Sequence, residues 1–349
     1  MKREAMLYDR LEGGAVRCHV CQWECRIGDG KLGVCRTRLN EKGTLYTLIY
    51  GEVSSLHVDP IEKKPLFHFY PGSQVLSLGT WGCNFHCKHC QNWQISYARP
   101  SDGGWQVEGG WAGRGREMTP EETVDLARRY RCAGVSWTYN EPAIWLEYTL
   151  ETARLAREAG LYTAYVTNGY LTDAALDAIG PYLDAYRVDI KGFGDEPYRE
   201  LSGVPRSDGI LRVAERARHR WGMHLEVVTN VVPSVNDHPD QLTSIAEWIR
   251  DALGPETPWH VTRFFPNAEM SHLAPTPVET ILAAREIGLR SGLRFVYVGN
   301  VAAGDAENSF CPGCGKVAIR RSGFRAELVG VALGGRCRHC GADLNLRGC

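Results

Sequence analysis

The chain has 349 residues, a mass of 38.9 kDa and a formal net charge of -1, with 44% hydrophobic and 23% charged residues, a globular composition with room for one substantial core and small appended modules. This balance excludes bulk attraction to nucleic acid and leaves only a local basic patch for such contact. No run approaches the roughly 20 apolar residues of a membrane span and the start lacks an apolar secretion core, so a cytoplasmic location without a membrane partner is expected.

Thirteen cysteines in such a chain are better read as metal ligands than as a disulfide framework. Residues 1–70 form a Cys-rich segment in which Cys18, Cys21, Cys25 and Cys35 follow the spacing C-x2-C-x3-C-x9-C. Gly28, Gly30 and Gly33 let the chain curl so that four thiolates share one metal. Zinc is favoured there over a second iron-sulfur cluster, because the neighbouring Arg17, Arg26, Lys31 and Arg36 carry no cluster signal and no ferredoxin repeat is present.

Residues 71–304 alternate apolar runs with amphipathic stretches. Strands are expected at 75–80, 134–138, 162–167, 185–190, 223–229, 258–264 and 294–298, and helices near 119–131, 143–159, 172–180, 208–221, 237–252 and 276–290. This is an α/β chain whose six βα units would close most of a TIM-like barrel; an open doubly wound sheet is second, without a Gly-x-Gly-x-x-Gly turn to support it. Thr119-Pro120-Glu121-Glu122 carries a cap, a first-turn proline and acidic residues at a helix start.

The first of these strands runs into Cys83, Cys87 and Cys90, spaced C-x3-C-x2-C. A structural zinc site needs a fourth ligand and an ordinary [4Fe-4S] cluster takes four thiolates, so three cysteines at a strand's carboxyl end suit a cluster with one open iron. His86 and His89 are the competing zinc ligands. The following Arg99–Arg116 stretch, with Trp105 and Trp111, shows no helical or strand period. Its plain reading is a disordered surface insertion, its sharper one a lid or partner-binding loop.

Cys132, at a helix end, reads as a small buried hydrophobe and Cys349 as a free terminal thiol. Residues 305–349 have the form of a zinc ribbon, with Cys311-x2-Cys314 and Cys337-x2-Cys340 as two knuckles and strands at Val317–Ile319 and Arg325–Val329. Structural zinc is expected on these four thiolates, with rubredoxin-like iron as the alternative.

Cys83 through Ser96, the upstream Asp59-Pro60-Ile61-Glu62-Lys63-Lys64-Pro65-Leu66 and Thr138-Tyr139-Asn140-Glu141-Pro142 resemble the radical S-adenosylmethionine (SAM) superfamily, up to about Asn300. Within it they look most like activating enzymes of pyruvate formate-lyase type and the radical SAM member of the AmmeMemoRadiSam system. His89 departs from the aromatic residue common before the last cysteine. The resemblance implies a partial (βα)6 barrel, a [4Fe-4S] cluster on Cys83, Cys87 and Cys90 with SAM on the fourth iron, and reductive SAM cleavage followed by hydrogen abstraction.

It implies that Glu141 meets the methionine amino group, although only Glu141-Pro142 keeps the family's Gly-Gly-Glu-Pro pattern. Asn140 is a further cofactor candidate whose plain reading is a helix cap. Thr167 and Asn168 follow at the next strand end, and Asp189 and Lys191 share a face of the fourth strand. Asp189 would take the ribose or orient Lys191, and Lys191 the methionine carboxylate; a structural pair is the alternative. Val231 stands in the apolar strand end suited to adenine, and His260 lies near SAM in the family or is a satisfied core histidine. Arg263 could bind an anionic substrate group. A low-potential flavodoxin or ferredoxin is the implied electron donor. The substrate is either a backbone glycine of a partner protein or another molecule, handled with the AmmeMemoRadiSam partner proteins; a non-enzymatic iron-sulfur and zinc scaffold is the third reading.

Overall fold

A computed structural model describes residues 2–107, 110–302 and 304–349. The chain forms two compact units, the first of residues 1–58, 75–186 and 208–223, the second of residues 59–74, 187–207 and 224–349. Segment 59–74 belongs to the second unit.

In the first unit β1 (Gln74–Gly79), β2 (Gly134–Trp137) and β3 (Tyr162–Thr167) pair in parallel, Ser77 beside Ser136 and Ser136 beside Ala164. Helices α1 (Pro120–Arg129), α2 (Leu146–Glu158) and α3 (Asp173–Ile179) complete the βα repeat, and α4 (Asp208–His219) packs in the same unit. The start of α1 is fixed as its sequence dictates: Thr119 Oγ1 accepts from the Glu122 N–H at 3.2 Å, and the Glu122 carboxylate accepts from the Thr119 N–H at 2.8 Å. Gly134 opens β2 because any larger residue would collide with Tyr162, whose carbonyl oxygen stands 2.4 Å from where a Cβ would lie. Trp137 and Tyr165 meet edge-on at 5.8 Å, and the Tyr165 hydroxyl is bonded to Thr149 on α2, so helix and strand are locked by a satisfied buried phenol.

The unit boundary falls inside β4 (Ala185–Asp189). The second unit holds β5 (His224–Val231), β6 (Trp259–Arg263) and β7 (Val296–Gly299), again parallel, with α5 (Pro239–Trp248) and α6 (Val278–Arg290) between them. Both units therefore show the parallel βα repeat of a partial barrel. A two-turn helix at Asp195–Ser202 has no counterpart in the expected elements.

Two expectations are corrected. Arg99–Arg116 is not without regular structure: Arg99–Ser101, Gly104–Val107 and Gly110–Gly113 form a three-stranded antiparallel sheet. Trp105 is buried and stacks on Trp81 at 5.9 Å. Glycines at five positions from 103 to 113 hide the strand alternation in the sequence. Glu108 and Gly109 and the side chain of Trp111 lie outside the described residues. The segment before β1 is also richer in strands than expected, with Tyr8–Arg10, Val16–Cys18 and Arg26–Ile27 forming one small sheet around the first cysteines. Among the described residues no helix is long and apolar enough to cross a membrane.

Candidate functional site

β1 leads through Thr80 and Trp81 into Gly82, whose φ is 76°. A Cβ here would stand 2.6 Å from the Cys35 carbonyl oxygen and 2.5 Å from Thr37 Cγ2, so the approach of the two segments requires glycine. The loop that follows is clasped from β2's end: Asn140 Nδ2 donates to the Gly82 carbonyl at 2.6 Å and its Oδ1 accepts from the Thr80 N–H at 3.1 Å. Asn92 Nδ2 donates to the Tyr139 carbonyl at 2.7 Å. Farther along, Tyr97 donates its hydroxyl to the Cys87 carbonyl at 2.6 Å and stacks on His86 at 3.9 Å. Cys83, Cys87 and Cys90 are thereby held, all partly buried, on one short loop at the carboxyl end of β1.

The donor set fits an iron-sulfur cluster. Burial pushes the Cys83 thiol well above its ordinary range, and the neighbouring Cys87 and Glu141 add to the shift; a metal is what would draw the thiolate form out of such a site. Asn84 is buried, and its Nδ2 has no hydrogen-bond partner. A buried donor left open on the cluster loop suits an acceptor such as a cluster sulfide.

Glu141 is buried beside this loop and is tied on three sides. It accepts from the Ala143 N–H at 2.9 Å, from Thr167 Oγ1 at 2.7 Å and from the Asn168 N–H at 2.7 Å. Asn168 Nδ2 in turn donates to Asn84 Oδ1 at 2.8 Å. Asn140, Glu141, Thr167 and Asn168 are therefore brought together around the cysteine loop. The helical cap at this corner is Glu141, whereas Asn140 serves as the clasp.

The other candidates stand in the second unit. Asp189 accepts from Arg187 Nη1 at 2.5 Å and lies 3.5 Å from Lys191 Nζ, so an arginine absent from the sequence expectation shares its carboxylate. The arginine two residues before Asp189, on the same strand face, is the signal that could have found it. Val231 is buried and its carbonyl accepts from Thr276 Oγ1 at 2.6 Å. Arg263 Nε donates to the Thr276 carbonyl at 2.7 Å. His260 is 2% exposed, its Nε2 is 2.6 Å from the Glu226 carboxylate, and its ring stacks on Tyr297 and meets Phe67 edge-on. Its ring is thus committed to a buried network that sequence patterning did not reveal.

At the carboxy terminus Cys311, Cys314, Cys337 and Cys340 bring their sulfurs within 4.8 Å of one another, with Cys311–Cys340 at 3.5 Å and Cys314–Cys337 at 3.7 Å. Each knuckle directs a backbone N–H at its first sulfur, Gly313 to Cys311 and His339 to Cys337, both at 3.4 Å. This is a four-cysteine metal-binding cluster. The strands at Val317–Ser322 and Arg325–Glu327 lie between its halves, close to the expected positions. Replacing Cys311 and Cys340 together by serine is expected to remove one metal ion per chain and to lower the melting temperature, read by elemental analysis and calorimetry; an unchanged metal content would contradict the assignment. Among the described residues the amino-terminal four are not gathered in this way.

The profile of the Radical SAM superfamily matches residues 79–246, which contain the cysteine loop, Glu141, Thr167, Asn168, Asp189 and Val231. An uncharacterized protein of Methanocaldococcus jannaschii is 42% identical over 345 residues, 99% of each chain. The pyruvate formate-lyase-activating enzyme of Clostridium pasteurianum is 25% identical over 179 residues, 49% of this chain and 67% of the relative. Among solved structures, a radical SAM methyltransferase from Sphaerobacter thermophilus aligns with a TM-score of 0.49 and 17% identity over 71% of each chain. With a three-cysteine loop on β1, a matching superfamily profile and kinship to glycyl-radical activating enzymes, the chain belongs to the radical SAM superfamily and is an enzyme.

Proposed function

We propose that the protein binds a [4Fe-4S] cluster on Cys83, Cys87 and Cys90, cleaves SAM reductively and abstracts hydrogen from its substrate. The observation that carries this reading is the loop itself: three partly buried cysteines at a strand's carboxyl end, clasped by Asn140 and lined by Glu141, Thr167 and Asn168. When bound, the cluster with SAM on its fourth iron supplies one-electron cleavage of the sulfonium and a radical able to break an unreactive C–H bond.

The chain's own residues bind and orient. Glu141 fixes the end of β3 against the cysteine loop and offers negative charge to the methionine amino group. Thr167 and Asn168 line that corner. Asp189 and Lys191 are assigned the ribose and the methionine carboxylate, with Arg187 holding Asp189 in place. Val231 is assigned to the adenine face and His260, through Glu226, to support of that wall. Zinc is assigned to the carboxy-terminal four thiolates, whose 3.5 and 3.7 Å spacings suit a tetrahedron about one ion.

Kinship to activating enzymes favours a protein as hydrogen source, with a backbone glycine as the specific alternative target. The partner proteins of the AmmeMemoRadiSam system are the other candidates, on the motif resemblance alone. A flavodoxin or ferredoxin would supply electrons. The test is to incubate reduced enzyme and SAM with deuterated candidate proteins and follow deuterium into 5′-deoxyadenosine. Label from a protein supports the reading, and a glycyl radical signal in that protein selects the activase form. Label arriving from a small molecule instead overturns the protein assignment. Failure to form 5′-deoxyadenosine under strongly reducing anaerobic conditions overturns the whole proposal.

A further inference from the structure

The carboxy-terminal module carries charge out of proportion to its size. Residues 311–349 hold seven lysines and arginines against two acidic residues, Glu327 and Asp343, a net of +5 in a chain whose total is -1. Residues 1–310 therefore sum to -6. Four thiolates around one divalent ion would bring about -2 and still leave the module positive. Arg321 spends its charge on the fold: it is 5% exposed and donates to the Phe67 carbonyl at 2.7 Å and to Ser309 Oγ at 2.9 Å. The other six cations, among them Lys316, Arg320, Arg325, Arg336 and Arg338, are exposed. Arg336 and Arg338 donate to the carbonyls of Gly341 and Val331, which leaves their charge uncancelled. Arg320 meets Glu327 at 3.4 Å with both side chains mostly in water, a pairing that contributes little.

The geometry gathers these cations around an aromatic ring. Val317–Ser322 and Arg325–Glu327 pair antiparallel, with Arg320 beside Glu327 and Ser322 beside Arg325. Side chains alternate along a strand, and Arg321 points inward, so Arg320, Ser322 and Arg325 share the outer face. Gly323, at φ 58°, turns the hairpin and leaves Phe324 at its tip, 54% exposed. The core beneath closes on Ala318, Ile319, Val331 and Leu344 without this ring. The second basic segment is close by. The Gly330 N–H donates to the Ala318 carbonyl at 2.9 Å, and the Arg338 N–H donates to the Gly330 carbonyl at 2.8 Å. Two such steps across neighbouring strands span roughly 10 Å. Successive phosphates of one stacked strand lie ~3.4 Å apart, so the two segments are separated by about three nucleotides.

Guanidinium groups match phosphate geometry, and an exposed ring offers a face on which any base can stack. Interfaces between proteins are depleted of charge at their centre and present both signs at their rim. This module presents almost one sign alone with a ring set inside it, which a phosphate backbone with free bases complements. In a duplex the base faces are already stacked on one another, so Phe324 selects a single strand.

We propose that the carboxy-terminal module binds single-stranded nucleic acid, stacking a base on Phe324 and placing phosphates on Arg320, Arg325, Arg336 and Arg338. The binding does not depend on the reaction proposed above, and neither does its test.

That test uses the full-length, metal-loaded protein with fluorescein-labelled strands of uridine or thymidine about 20 nucleotides long, enough to cover one binding site. Anisotropy is followed between about 50 and 200 mM salt. At least one of the strands should bind, and a preference between them names RNA or DNA as the source. A duplex of the same length should bind about tenfold more weakly, since it offers phosphates without free base faces. Phe324→Ala should weaken single-strand binding about fivefold or more while its salt dependence stays unchanged. Arg320→Gln with Arg325→Gln should lower the slope of log affinity against log salt by about 1.4, roughly 0.7 for each lost phosphate contact. Both variants alter exposed side chains, so melting temperature and metal content should match the parent. Absence of binding at the lowest salt overturns the proposal. Equal affinity for duplex together with no effect of Phe324→Ala also overturns it, since that is bare polyanion attraction. Loss of binding to an acidic flavodoxin in these variants, with oligonucleotide affinity unchanged, assigns the face to a protein instead. Photocrosslinking of the unmodified protein to strands carrying 4-thiouridine gives a readout free of variant folding. The crosslinked peptide should contain Phe324, and crosslinks confined to residues 1–310 contradict the proposal.

Discussion

Changing Cys83, Cys87 and Cys90 to alanine is expected to abolish 5′-deoxyadenosine formation, to below detection in an anaerobic assay with excess reductant. The effect is total rather than graded because the open iron exists only if all three thiolates hold the cluster. The loop itself should survive the change. Its shape is set by backbone carbonyls and neighbouring side chains: Asn140 on Gly82, Tyr97 on Cys87 and Trp23 on Asn84. The Cys83 sulfur makes a long contact, 3.5 Å from the Phe85 N–H. Circular dichroism and melting temperature should therefore change little. Residual SAM cleavage at more than a hundredth of the original rate in a correctly folded variant would remove these cysteines from the chemistry.

What was legible in the sequence was local. The parallel strands and their helices follow from apolar runs and caps, and the observed bounds of β1 to β7 fall within about two residues of the expected ones. The cysteine loop and the carboxy-terminal cysteine knuckles were legible because ligand spacing is written in consecutive residues. Long-range pairing was not. His260 looked like an isolated histidine, and only the fold brings it to Glu226, 34 residues earlier. Arg38 gave no sign of meeting Glu147, 109 residues on. Asn140 stands two residues before Pro142 and so suggests a cap, yet its amide spans two backbone groups of a neighbouring strand end. The Arg99–Arg116 sheet was hidden because glycine supplies no side chain to mark the inward face, leaving Trp105 as the visible clue.

Glu226→Ala is expected to cost the second unit on the order of 4 kcal/mol, from buried donors left without an acceptor and the cavity the carboxylate leaves. The carboxylate is 0% exposed and is surrounded by donors: the N–H groups of Phe67 and His68 at 3.0 and 2.7 Å, and the imidazoles of His224 and His260 at 2.9 and 2.6 Å. Alanine leaves both N–H groups buried and unpaired and opens a cavity between them. The loss should spread to the carboxy-terminal module, because His68 lies 2.5 Å from the Tyr297 hydroxyl, Tyr297 bonds Ser309, and Arg321 donates to the Phe67 carbonyl at 2.7 Å. Glu226→Gln keeps the shape but turns an amide N–H toward a donor, so about half that loss is expected. Acid should act in the same direction. Burial drives His68 down to about 3 from an ordinary 6.5 and lowers His260 as well, so both are neutral in the fold and gain protons more readily when unfolded. Their stabilising contribution is present above about pH 6.5 and is lost progressively as pH falls toward 3. Burial alone would raise the Glu226 carboxyl, but the donors from His224 and His260 outweigh it and hold it well below the usual carboxylate range. Its contribution therefore persists to about pH 4.5 and is lost only below that, as pH falls through the depressed folded value. Urea unfolding of the unmodified protein and both variants between pH 8 and pH 4 checks the ordering; equal stability of Glu226→Ala and the parent at pH 7 would show that this network does not hold the unit together.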